Sequence, residues 1–218
     1  MAARPLLETE LREIGERVLE MGLLIEKTIS EAIRTLLERD SDAARKLIQE
    51  DGRIDDLEDE INGRCLRFLA TQSPLAGDLR YVISIMKVIR DLERIGDHCE
   101  DIAKYTIRFE DEAFIKELID IPRMADMSSR MAKNAIDAFI HRDLRLARRV
   151  WKDDEEVDEM FRDLHDELLE LAEADAKNAR QCIMLLLIAA HLERIADYAT
   201  NICEETVFVL EGIIEMGK

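Results

Sequence analysis

Leu92-Glu93-Arg94-Ile95-Gly96-Asp97 and Leu192-Glu193-Arg194-Ile195-Ala196-Asp197 are two copies of one hexapeptide, set 100 residues apart. Each lies inside a long run of helical periodicity. In each, the leucine and isoleucine fall on an apolar stripe, while the glutamate and aspartate four residues apart share the face beside it. The row extends to Asp101 after the first copy and to Asn201 after the second.

Outward from these copies, the apolar spacing of three and four residues predicts helices almost everywhere. The expected segments are Leu7–Leu37, Ala43–Ala70 and Asp78–Phe109. A restart then gives a helix ending near His141, one over Leu144–Leu171, and one over Lys177–Leu210. Breakers agree with these limits: Asp40 or Ser41 can cap the second helix, and Ser73-Pro74-Leu75-Ala76-Gly77 reads as a loop. No segment alternates like a strand. The expected fold is all-α, with two tandem, pseudo-symmetric three-helix bundles made of six long helices.

The restart is an internal duplication. A shift of 103 aligns Arg39, Asp40, Ala44, Asp51 and Asp55 with Arg142, Asp143, Ala147, Asp154 and Asp158, and a shift of 100 aligns the hexapeptides. The slip falls in the loop holding Pro74 and Gly77, where length changes are tolerated. The acidic joint Glu110-Asp111-Glu112 marks the expected boundary, with repeats at 1–110 and 111–218.

Charge narrows the function. With 31 basic and 49 acidic residues, the formal balance of −18 is wrong for nucleic acid or an anionic membrane surface. Cations or a basic protein surface are the better partners. The longest apolar run, Cys182–Ala190, is about half the length a membrane span needs, and the first eleven residues lack a signal-peptide core. The chain is therefore expected in the cytoplasm. Cys65, Cys99, Cys182 and Cys203 show no C-x-x-C pairing and read as small apolar core residues. Met124, Met127, Met131 and Trp151 read as core or interface.

Two readings of the acidic rows compete. One is a solvated face laced with neighbours such as Arg94 and Lys104, each pair contributing little. The other is cation binding, since carboxylates repeated at four-residue steps repel unless something positive lies between them. Glu93, Asp97 and Asp101 would serve in the first half, and Glu193, Asp197 and Asn201 in the second. Asp55 and Asp59 on one middle helix and Asp158 on the other are weaker candidates. The donors are nearly all oxygen, so the rows suit hard ions: magnesium, manganese, calcium or iron. His98 follows Asp97 directly and points off the row, as a surface or packing residue. No E-x-x-H pair, H-E-x-x-H, phosphate loop or G-x-S-x-G occurs, so no catalytic constellation is evident.

The duplicated E-R-I-x-D motif and the repeated Arg-Asp corner together resemble the PhoU family of phosphate-uptake regulators, over about Leu7–Leu210. The resemblance implies metal, in places as multinuclear clusters, at Glu93, Asp97, Asp101, Glu193 and Asp197, with Asn201 a neutral departure. It also implies negative regulation of phosphate import and phosphate-starvation signalling by a stand-alone, non-enzymatic protein. Its implied partners are a second copy, a phosphate-sensing histidine kinase and a phosphate-transporter ATPase, with docking at the inner face of the membrane through them. The alternative is a helical adaptor without functional metal.

Overall fold

A computed structural model describes residues 3–110 and 112–213, with side chains from Leu7 onward. Among the described residues, regular structure is helical throughout. The elements are α1 (Ala3–Glu38), α2 (Ser41–Glu50), α3 (Gly52–Gln72), α4 (Gly77–Arg108), α5 (Asp120–His141), α6 (Leu144–Ala174) and α7 (Ala179–Glu211), with one 3₁₀ turn at Ala176–Asn178. Asp111, the centre of the acidic joint, lies outside the described residues.

The all-α reading with two three-helix repeats holds, with one correction. The second helix does not run unbroken from Ala43 to Ala70. It divides at Asp51 into α2 and α3, where Gly52 costs helix propensity and Ile54 begins packing against α4. In the second repeat α6 crosses the corresponding region without a break.

The two repeats turn at the same device. Arg39 and Arg142 sit in the left-handed region at φ 54° and 56°. The aspartate after each caps the next helix. Asp40 accepts from the Ala43 N–H at 2.9 Å, and Asp143 accepts from the Arg145 and Leu146 N–H groups at 2.9 and 3.1 Å. Each aspartate N–H closes the preceding helix, on Thr35 and Ala138 carbonyls, both at 2.9 Å. The duplicated Arg-Asp pair is therefore a helix-end and helix-start signal in one.

Helices α4 and α7 form the centre. Helix α4 packs against α1, α2, α3 and α7, and α7 against α4, α5 and α6, while α1 also meets α5. The core is continuous across both repeats. Burial along residues 81–100 repeats along 181–200 at every position but one, so both motif helices meet equivalent surroundings. All four cysteines are buried and unpaired, as their scattered placement suggested. Met124 and Met131 are fully buried in the same core. Among the described residues, no helix is long and apolar enough to cross a membrane.

Candidate metal centres

The apolar stripe sets the direction of everything polar on α4. Leu92, Ile95, Cys99 and Ile102 are buried, which turns Glu93 and Asp97 to the flank that α3 covers. Helix α3 runs antiparallel to α4 and brings its own acidic row. The charges acting on Asp51 are those of Asp55, Glu100 and Asp97; those acting on Glu93 include Asp97, Glu58 and Asp55. Asp51 thus stands opposite Asp97 and Glu100, and Glu58 opposite Glu93. The close approach is made at Gly96, where an added Cβ would lie 2.8 Å from Ile54 Cδ1 and 3.5 Å from Asp51 Oδ1.

The electrostatics follow from that crowding. Burial, then the neighbouring carboxylates, pushes Asp51 up to about 6 against the opposing pull of Lys104. Asp55 and Glu93 are raised too, by burial first and like charges second. Asp51 Oδ1 is buried with no hydrogen-bond partner. An orphaned buried acceptor on a carboxylate costs free energy unless something positive meets it. Arg94 is the counter-charge on the rim, 2.9 Å from Asp97 and 3.5 Å from Glu93.

The second repeat builds the same arrangement between α6 and α7. Burial, then Asp158, Asp197 and Glu193, pushes Asp154 up to about 6. Glu193 is raised by burial and then by Asp197, and Arg194 lies 3.1 Å from Asp197. This cluster is poorer by two carboxylates, since Glu58 corresponds to Phe161. Glu100 corresponds to Thr200, whose hydroxyl donates to the Asp197 carbonyl at 2.7 Å. The oxygen-only donor sets of both clusters fit hard cations.

The structure places the sequence-predicted residues unevenly. Glu93, Asp97 and Asp55 come together, as do Glu193, Asp197 and Asp158. Asp59 is exposed, and its charge raises Asp55. Asp101 turns from α3 toward α7, bound to Lys104 at 2.9 Å, and Asn201 is exposed. Glu58, Glu100, Asp51 and Asp154 join the clusters, and the signal for the first two was available. At about 100° per residue, a residue seven on lies roughly 20° from the first, whereas one eight on lies roughly 80° away. The row is therefore Glu93, Asp97, Glu100 rather than Glu93, Asp97, Asp101, and likewise Asp51, Asp55, Glu58.

Between α4 and α7 lies a different group. His98 and His191 meet Nδ1 to Nδ1 at 3.0 Å, with their rings tilted against Tyr198 and Tyr105 respectively, at centroid distances of 5.6 and 5.9 Å. Burial and then His191 pull His98 down to about 4, and burial pulls His191 down as well. His98, Asp101 and His191 each offer a ligand atom, and these atoms all lie within 4.8 Å of one another.

The duplicated helical fold is matched by known proteins. The PhoU domain profile matches residues 18–106 and again 121–206. The chain belongs to the PhoU family. The phosphate-specific transport system accessory protein PhoU homolog of Clostridium acetobutylicum is 35% identical over 210 residues, 96% of each chain. That of Aquifex aeolicus is 36% identical, over 94% of this chain and 93% of the relative. The crystal structure of PhoU from Pseudomonas aeruginosa superposes with a TM-score of 0.90 at 31% identity, covering 94% of this chain and 99% of the other. The phosphate transport system regulatory protein PhoU of Streptococcus pneumoniae superposes at 0.88 and 32%, covering 96% and 99%. These PhoU relatives carry accessory or regulatory names, and the chain is an accessory protein of phosphate transport rather than an enzyme.

Proposed function

We propose that this chain is a metal-dependent negative regulator of phosphate uptake and phosphate-starvation signalling. Its two carboxylate clusters would hold hard cations, with iron or manganese, magnesium or calcium suited to all-oxygen sites. The observation that carries the reading is the pairing of two acidic rows across α3–α4 and again across α6–α7, with a buried, partnerless Asp51 Oδ1 in the first. The first cluster would bind more ions or bind them more tightly, since it alone has Glu100. Asp101 and Asn201 enter only as flanking ligands, and Asp59 as a rim charge.

Bound cations would also reconcile the molecule with an anionic signal. At −18 the bare chain repels phosphate, whereas a cation at an open coordination position reverses the local sign. Phosphate or a partner's carboxylate could then complete the site. The names of the relatives point to a phosphate transport system. The partners in this reading are a second copy, a sensor kinase and the transporter's ATPase, met from the cytoplasm at the inner membrane face. The two repeats, 1–110 and 111–218, would each contribute one cluster.

The ion pairs Arg94–Asp97 at 2.9 Å and Arg194–Asp197 at 3.1 Å favour a second reading, an adaptor that works through its helical surface with no metal. The decisive comparison is made in cells with ample phosphate. Glu93→Ala with Asp97→Ala should derepress a phosphate-starvation reporter while leaving protein abundance unchanged. Full repression by this variant would favour the adaptor.

A further inference from the structure

We propose that His98, Asp101 and His191 form a third metal site, one that takes a divalent transition ion and joins the two repeats. His98 and Asp101 come from α4 and His191 from α7, so the site belongs to neither repeat alone. It also has no pseudo-symmetric twin: the positions related to His191 and His98 by the 100-residue shift are Asp91 and Tyr198.

The donor set decides the class of ion. Two imidazole nitrogens and one carboxylate oxygen suit zinc, cobalt, nickel or iron(II), and are a poor match for magnesium or calcium. The spacing is close to what an ion needs. Tetrahedral metal–imidazole bonds of about 2.0–2.1 Å place two nitrogens about 3.3–3.4 Å apart, and the Nδ1 atoms are 3.0 Å apart. A neutral imidazole offers one ring-nitrogen lone pair to an ion. Without metal, one Nδ1–H donates to the other Nδ1. With metal, that proton moves to the far nitrogen of its own ring, so both Nδ1 lone pairs become ligands and neither ring changes charge.

The neighbouring cations do not block the site. Lys104 holds Asp101 through Oδ1 alone and is also held by Glu100, so the second Asp101 oxygen remains for an ion. Arg194 acts on His98, and Lys104 on His191, as opposing charges smaller than burial. His98 Nε2 is buried without a partner, so the ring's polar contact is its Nδ1 edge, the edge that faces His191.

The test separates this site from the carboxylate clusters. Zinc is titrated by calorimetry into full-length, chelator-stripped protein carrying Asp55→Asn, Asp97→Asn, Asp158→Asn and Asp197→Asn. One zinc per chain should still bind, and magnesium in large excess should not displace it. Adding His191→Gln should weaken that binding by at least about tenfold. Loss of zinc from the four-carboxylate variant, or equal binding after His191→Gln, overturns the proposal. X-ray absorption at the zinc edge keeps the question open to decision if His191→Gln fails to fold. Wild-type protein loaded with one equivalent should show imidazole scattering from two nitrogens at about 2.0–2.1 Å, and an oxygen-only shell would contradict the site.

Discussion

Asp91 shows how strongly position governs a carboxylate here. Burial, then Glu205, pushes it up to about 7, against Arg90 and Lys87. Ser84 and Lys87 both direct their hydrogen bonds to Glu205, each at 2.7 Å. Its folded value exceeds its unfolded one, so the folded state tolerates Asp91 fully only below about pH 4. Stability is lost as pH rises through about 7. Asp91→Asn should therefore stabilise the protein at pH 8, on the order of 2 kcal/mol once partial solvation is allowed for, and change little at pH 4. Chemical denaturation at the two pH values would check this; equal shifts at both would contradict it. The same scale shows what sequence could reveal. Glu93 and Asp97 were legible because four residues separate them on one helix. Asp51 and Asp154 were not assignable, because facing a neighbouring helix depends on how the bundle packs. The His98–His191 contact joins residues 93 apart in the chain, and no local pattern announces such a meeting.

At the level of elements, the periodicity located every long helix to within a few residues, because each carries a continuous apolar stripe. The break at Asp51 escaped it, since the stripe continues through Ile54 on the other side. The Arg-Asp corners were visible as repeats, and the structure gives them a cause in capping. The Asp143 carboxyl is held below its usual range by the Leu146 and Arg145 N–H groups, the first the larger effect. Its contribution is therefore present above the unfolded value and lost as pH falls through the lower, folded one. Asp143→Ala should lower the melting temperature by a few degrees at pH 7 and by less at pH 3, as followed by circular dichroism. A different device joins the repeats, where α1 meets α5. An added Cβ at Gly22 would lie 2.8 and 3.1 Å from two Ile136 side-chain atoms. Gly22→Val should cost about 1–3 kcal/mol by overpacking, measured by urea unfolding. A smaller loss would show that Ile136 moves aside freely.

At the scale of the molecule, duplication gives two acidic clusters on opposite flanks of one core, with α4 and α7 in contact between them. The clusters are not equal: Glu100 in the first is Thr200 in the second, and Glu58 is Phe161. This asymmetry predicts that the first cluster dominates hard-metal binding. The central claim, that paired acidic rows hold metal, is tested most directly by elemental analysis of protein purified without chelator. Wild-type protein should carry iron, manganese, magnesium or calcium. Glu93→Ala with Asp97→Ala should lose the larger part of it, and Glu193→Ala with Asp197→Ala the smaller. Unchanged metal content in the first double variant, with the fold intact by circular dichroism, would contradict the account.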